Sequence, residues 1–197
     1  MLKRNLTTLV LGVFLAVGFA AAEELPFPEI ISADAECRAY FWAGYDAISE
    51  GDVKGARDNF ERAAAEDDGC FMAYYVLSQL EDARGDDEKA TRYLEMIPPE
   101  PPELDALYED IVTALQADDY ETVASQTERL VAAYPQTIRA IAALHLLGRA
   151  QYHLGRLGEA KTSLGTAYVY SALAPGTVPA YGSQAEAEEL EKFAGMP

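Results

Sequence analysis

In the segment LGRAQYHLGRLGEA, residues 147–160, three glycines and a histidine interrupt a helix-forming composition. Taken alone, it fits a phosphate-binding loop, a metal site or one unit of a repeat. Sliding the sequence along itself is the test, because a fixed period identifies repeat architectures. AGYDAISEGDVKGARDNFERA, residues 43–63, aligns with LSQLEDARGDDEKATRYLEMI, residues 77–97, at an offset of 34 residues. The opening stretch joins the same alignment, so its glycines belong to a repeated column.

The aligned columns hold small residues, a turn residue and a large apolar residue at constant spacing. In the first, second and last copies these positions are Gly44, Ser78 and Gly148, then Gly51, Gly85 and Gly155, then Ala56, Ala90 and Ala160, and finally Phe60, Leu94 and Leu164. A weaker third copy, residues 118–135, has Asp118 at the turn and ends at Pro135. Four copies therefore span about residues 37–174.

Each copy predicts two helices joined by a tight turn. Apolar residues recur at three- and four-residue steps on both sides of Gly51, which is the pattern of amphipathic helices. Gly51 is expected to end the first helix and Asp52 to cap the second. The small residues Gly44 and Ala56 allow the two helices to approach closely. Such a hairpin cannot bury its own apolar face and is expected to stack on its neighbours.

This helix pair resembles the tetratricopeptide repeat. Leu147-Gly148, Gly155, Ala160 and Leu164 carry the resemblance in the fourth copy, whereas the second copy has Ser78 in place of the first glycine. The resemblance implies an all-α, right-handed superhelical solenoid of helix-turn-helix repeats, closed by a C-terminal capping helix. The repeats are placed at about residues 37–70, 71–103, 104–137 and 141–174, with the Pro-rich residues 98–102 as a rigid break between the second and third.

The segments outside the repeats have distinct compositions. Residues 1–22 have Lys3 and Arg4 before an apolar run and small residues at the end, which predicts a signal peptide cleaved before Glu23. The apolar run is shorter than the roughly 20 residues of a membrane-spanning helix, so cleavage is favoured over an uncleaved anchor. Residues 23–36 are expected to form an extended leader. Residues 175–197 are expected to form a loop and a capping helix from Ser183 to Phe193.

Charge limits the kinds of partner. The chain has 15 Lys+Arg and 33 Asp+Glu, a net charge of −18. Removal of residues 1–22 takes away two cations and no acid, so −18 becomes −20. Such a surface repels nucleic acid and anionic lipid headgroups. We expect a neutral or basic protein or peptide partner, no stable membrane insertion after cleavage, and a periplasmic or secreted location.

Motifs of catalysis and cofactor binding are absent from the sequence. It contains no GxSxG, SxxK, HExxH, CxxC, P-loop or EF-hand pattern. The two histidines, His145 and His153, lie eight residues apart with Arg149 midway, which is a poor arrangement for a metal because the rings are offset by roughly 80° and the guanidinium repels the cation. We expect no enzyme activity, no cofactor and no metal.

The resemblance implies a concave surface lined by the first helix of each repeat. The position three before the small residue holds Phe41, Tyr75, Tyr108 and His145, and the position one after it holds Tyr45, Gln79, Val112 and Arg149. The rings suggest a groove for a peptide or helix, with Tyr152 and His153 extending its polar end, whereas rings at helical spacing are also common in helix packing. Arg149 and Gln79 are too few to form the carboxylate clamp of some family members.

The cysteines acquire a context from the repeat register. Cys37 opens the first helix of the first repeat, and Cys70 immediately precedes the first helix of the second. Parallel neighbouring helices place these ends at one edge, so we expect a disulfide rather than free thiols. Closing a loop of about 33 residues would contribute roughly 3 to 4 kcal/mol.

The sequence therefore predicts a non-enzymatic interaction scaffold or adaptor of the bacterial periplasm that binds a peptide or helix in an aromatic-lined groove. An accessory subunit that docks through an acidic convex face is the first alternative. Its acidic clusters are residues 66–68, 86–88 and 118–119, which also suit solvated helix ends. A metal-binding or catalytic protein that uses His145 and His153 is the second alternative.

Overall fold

The computed structural model describes residues 26–173, and its regular elements there are all helical. A short 3-10 helix, Pro28–Ile30, precedes eight α-helices. These are α1 Ala35–Ser49, α2 Val53–Glu66, α3 Phe71–Arg84, α4 Asp87–Glu95, α5 Pro102–Gln116, α6 Tyr120–Ala133, α7 Ile138–His153 and α8 Leu157–Leu173. The predicted all-α fold of repeated helix pairs is confirmed. Over the same residues, no helix has both the length and the apolar character that crossing a membrane requires.

The predicted signal peptide, residues 1–22, lies outside the described residues. The predicted capping helix, Ser183 to Phe193, also lies outside them, so both stay predictions.

The turn inside each helix pair has a left-handed backbone. Gly51, Gly85 and Gly155 have φ of 80°, 81° and 75°, and Asp118 has φ of 56° in the third pair. Glycine enters this region freely because it has no Cβ, and aspartate tolerates it better than most residues. The left-handed backbone therefore explains why glycine or aspartate stands at this position of each repeat. The next residue in three of these pairs caps the second helix by accepting a backbone hydrogen bond, as found for Asp52, Asp86 and Asp119.

Residue contacts divide the chain into two compact units between Pro99 and Glu100, inside the Pro-rich segment 98–102. In the N-terminal unit α1 packs against α2, α2 against α3, and α3 against α4. In the C-terminal unit α5 packs against α6, α6 against α7, and α7 against α8. Each unit thus contains two helix pairs, with the second helix of one pair packed on the first helix of the next.

The small residues in the first helices permit close helix packing. A Cβ built on Gly44 would lie 2.7 to 2.9 Å from three ring carbons of Phe60. A Cβ on Gly148 would lie 2.7 Å from Cδ2 of Leu164 and 3.1 Å from its backbone nitrogen. Ala56 and Phe60 are fully buried. The predicted close approach within the first and fourth pairs is confirmed.

The part of the predicted leader that the structure describes is packed, and it is helical in part rather than wholly extended. Ile30, Ile31 and Ser32 are buried. The Ser32 hydroxyl donates a hydrogen bond to Asp67, which follows α2. The Arg38 guanidinium donates to the carbonyl of Ser32 at 2.7 Å and to that of Ala33 at 2.9 Å. These contacts hold the leader to the edge of the N-terminal unit where α1 begins and α2 ends.

Candidate partner-binding surfaces

Phe41 and Tyr45 of the first repeat, which were predicted to line the groove, lie in the core instead. Phe41 is 0% and Tyr45 6% exposed. Phe41 lies with its ring centroid 5.5 Å from that of Phe60 and 5.2 Å from that of Tyr45, and Tyr45 meets Phe60 edge-on at 5.3 Å. The reason is Gly44, whose missing side chain lets the Phe60 ring pack directly against α1 beside both rings. Phe41 and Tyr45 therefore stabilise the first helix pair and have no free surface for a partner.

The equivalent positions of the second repeat lie at the surface of α3. Tyr75 and Gln79 are both half-buried. Gln79 Nε2 donates a hydrogen bond of 2.7 Å to the Tyr75 hydroxyl oxygen. Partial burial raises the pKa of Tyr75 above its ordinary value, and the Gln79 contact opposes this. We call Tyr75 and Gln79 the α3 face: a ring with an oriented polar tip, a combination that suits protein recognition.

In the C-terminal unit, Tyr108 is half-buried on α5 and has a cationic neighbour. The Arg139 guanidinium lies 5.6 Å from the centroid of the Tyr108 ring. Arg139 is itself held by Glu100, with Nε and Oε2 3.2 Å apart, and by Asp105. Val112, one turn further along α5, is also half-buried. The Tyr108 ring is therefore fixed in part by a cation–π contact inside the unit.

The predicted polar end of the groove forms a cluster at the end of α7. Tyr152 is 43% exposed, and its ring meets that of His153 edge-on at 5.7 Å. His153 stacks on Tyr120, the first residue of α6, with ring centroids 4.1 Å apart and an interplanar angle of 6°. We call Tyr120, Tyr152 and His153 the α6–α7 ring cluster. His145, two turns earlier on α7, is half-buried.

Sequence reasoning missed Tyr120. Its signal was the DDYE segment at residues 118–121, which the repeat alignment placed at the turn without assigning its ring a role. The Tyr120 hydroxyl donates to Asp118 Oδ1 at 2.7 Å, and this hydrogen bond raises the Tyr120 pKa. Exposed Arg149 lies near enough to oppose that effect. The cluster therefore has charged residues of both signs beside its rings.

The described residues contain no group of three or more His, Cys, Asp or Glu side chains placed to hold a metal ion. His145 and His153 lie on one helix, and His153 is engaged by Tyr120. The structure therefore gives His153 an aromatic stack with Tyr120.

Cys37 and Cys70 lie together and are both free thiols. Both are fully buried, and the Cys70 thiol donates a hydrogen bond to the Cys37 sulfur. This hydrogen bond lowers the pKa of Cys37 against the opposing effect of burial, and it raises the pKa of Cys70. The sequence placed the two residues at one edge correctly. The disulfide between them stays a prediction.

The acidic clusters act locally at helix ends. Asp67 Oδ1 accepts from the backbone nitrogen of Gly69 at 2.9 Å, Asp86 Oδ1 from that of Lys89 at 3.1 Å, and Asp119 Oδ1 from that of Thr122 at 3.2 Å. The Thr122 hydrogen bonds lower the pKa of Asp119. These carboxylates therefore have structural roles that account for their positions.

Stacked helix pairs with glycine turns and small-residue contacts define an all-helical repeat protein. Residues 47–115 match the sequence model of the tetratricopeptide repeat family, from within α1 to within α5. The match supports, over these residues, the resemblance to the tetratricopeptide repeat that the sequence pattern indicated. No curated protein matches the sequence. Tetratricopeptide repeats generally mediate protein–protein interactions, and their stacked first helices form extended binding surfaces.

Proposed function

We propose that this protein is a non-enzymatic scaffold that binds a peptide or helical segment of a partner protein through surfaces on its first helices. In the N-terminal unit this surface is the α3 face. In the C-terminal unit it includes Tyr108, His145 and Arg149, with the α6–α7 ring cluster at the end of α7. The two surfaces are proposed separately, one for each compact unit.

The observation that carries the proposal is the Tyr75–Gln79 pair. Burial raises the pKa of Tyr45 and the nearby Tyr75 hydroxyl adds to this effect, so the half-buried Tyr75 side chain lies near the first repeat. A half-buried tyrosine held by a hydrogen bond offers a partner an aromatic contact at small conformational cost. Gln79 fixes the hydroxyl and adds amide groups that can pair with a peptide backbone.

The proposed partner is a neutral or basic protein segment that the chain meets after export to the periplasm. The charge of −20 without residues 1–22 supports electrostatic attraction of a basic partner. Export rests on the pattern of residues 1–22. Mass determination of protein purified from its native source tests it, since a chain that begins at Glu23 supports export and a chain that retains Met1 contradicts it.

Affinity capture from native extract tests the α3 face. Tyr75→Ala removes the half-buried ring of the α3 face, whereas Tyr168→Ala removes a ring that is 47% exposed on α8, a second helix. We expect the partner recovered with the wild type to be reduced about tenfold or more with Tyr75→Ala and unchanged with Tyr168→Ala. Loss of a central aromatic contact commonly weakens an interface by about 2 kcal/mol or more, which is more than tenfold.

The two variants also distinguish binding at the α3 face from binding at the acidic edges. Equal recovery with the wild type and both variants, with crosslinks to residues 86–88 or 118–119, would assign binding to the acidic edges instead. Circular dichroism of both variants establishes that loss of capture is not loss of folding.

A further inference from the structure

A cavity of about 390 Å³ lies in the N-terminal unit between the start of α2 and the end of α3. Its lining residues are Val53, Lys54, Arg57, Leu80 and Arg84. Its volume is within the range of roughly 300 to 1,000 Å³ that is usual for small-molecule sites. The cavity is separate from the α3 face, so it calls for its own explanation.

The lining is unusual for this chain because three of its five residues are cations and none is an acid. The whole chain has 33 Asp+Glu and only 15 Lys+Arg. Apolar Val53 and Leu80 complete the lining. A local concentration of cations beside aliphatic side chains is complementary to an anion with an aliphatic part.

Glu81, on α3 behind this lining, orients the two arginines. Its side chain is 1% exposed. Its Oε1 lies 3.5 Å from Arg57 Nη1 and 3.2 Å from Arg84 Nη1, and the Arg84 nitrogen is also 3.2 Å from Oε2. A buried carboxylate in this position holds both guanidinium groups at the cavity and reduces the conformational cost of ligand binding.

The arginines of the lining have hydrogen-bond donors that the contacts with Glu81 do not use. A guanidinium group has five N–H donors, and the contacts with Glu81 use only one nitrogen of each arginine. Arg57 Nε is buried without a hydrogen bond, although it forms an ion pair with Glu61 Oε1 at 3.6 Å. Lys54 forms no ion pair within residues 26–173, and its first-turn position on α2 brings it to the cavity.

We propose that this cavity binds a small organic acid with one carboxylate on a short aliphatic stem. The carboxylate pairs with Lys54 and the remaining guanidinium donors, and the stem contacts Val53 and Leu80. A planar carboxylate matches the fork of a guanidinium group, and charge-assisted hydrogen bonds are the stronger kind. A small ligand also suffers less long-range repulsion from the acidic surface than an acidic protein does.

Titration with 4-methylpentanoate, followed by methyl NMR of the purified protein, tests the site. We expect the acid to shift the methyl signals of Val53 and Leu80, and the uncharged 4-methylpentanamide to bind at least about tenfold more weakly. Lys54→Ala should weaken the binding of the acid by about fivefold, which is the upper range of the contribution of one exposed ion pair. Lys89→Ala is the matched control because Lys89 lies on α4 outside the lining and pairs with Asp86 at 3.9 Å.

Three results would overturn the proposal. These are no shift of the Val53 and Leu80 methyl signals by the acid, equal affinity for acid and amide, or equal affinity of the Lys54→Ala and Lys89→Ala variants. The proposal uses neither Tyr75 nor Gln79. Its failure would therefore leave the proposed scaffold function unaffected.

Discussion

Gly148 of α7 faces Leu164 of α8 in the fourth repeat. Alanine there would bring its Cβ 2.7 Å from Cδ2 of Leu164 and 3.1 Å from the backbone nitrogen of the same residue. Because a backbone atom cannot move without shifting α8, we predict that Gly148→Ala lowers the free energy of unfolding by about 1 to 3 kcal/mol. Urea denaturation followed by circular dichroism measures this change.

Gly165→Ala is the control for this prediction. Gly165 lies inside α8, and a Cβ there would meet no atom within 4 Å. Alanine in a helix interior is favoured over glycine by about 0.5 to 1 kcal/mol, so this variant should be more stable. Equal stability of Gly148→Ala and the wild type would mean that the helices are less closely packed than the structure has them.

Cys37 and Cys70 are neighbouring buried thiols that we predict form a disulfide under oxidising conditions. The lowered pKa of Cys37 makes it the thiol that ionises first, and thiolate is the attacking form. Because both thiols are fully buried, the reaction requires transient opening of the N-terminal unit, and we predict that prolonged incubation with oxidised glutathione at mildly alkaline pH removes both free thiols and releases two reduced glutathiones. The bond should raise the free energy of unfolding by about 3 kcal/mol because it closes a loop in the unfolded chain.

Thiol titration in denaturant, with Cys37→Ser as the control, checks this prediction. The variant should retain its single thiol or a glutathione adduct and gain no stability. Two free thiols in fully oxidised wild-type protein would contradict the predicted bond.

At the scale of the helix pair, the turn glycines set the connection between the helices. Gly155 has φ of 75°, and a Cβ there would meet no atom within 4 Å. Any loss of stability in Gly155→Ala is therefore due to the backbone conformation alone. We predict a loss of about 1 to 2 kcal/mol, measured by urea denaturation beside Gly165→Ala. A stability equal to that of the wild type would show that the left-handed turn is not required.

The helix pairs were predictable because their signals are local. Gly51 and Asp52 mark a turn and a cap by residue type alone, and Gly44 marks a close contact by its place in the repeat. Burial was not predictable at the same level, since spacing places Phe41 and Tyr45 on a helix face without saying how deep that face lies. Gly44 explains both the close helix contact and the burial of Phe41. Its missing side chain leaves space for the Phe60 ring, and that ring packs against Phe41.

At the scale of the whole molecule, the period of 34 residues predicted the repeats, and the Pro-rich segment 98–102 marked the place where the two compact units meet in sequence. Tyr75 and Gln79 were predicted as surface residues by the repeat register. Tyr120 and the cavity beside Lys54 were not, because each depends on side chains from two different helices. Contacts between helices of different pairs leave no period in the sequence.

Site-specific photo-crosslinking in native extract tests whether the α3 face binds the partner. Benzoylphenylalanine in place of Gln79 puts the reactive group on the α3 face, and the same group in place of Tyr168 puts it on α8. We expect position 79 to crosslink to a discrete partner protein and position 168 not to crosslink to it. Crosslinking of that partner from position 168 alone, or equally from both positions, would contradict the α3 face as the binding surface.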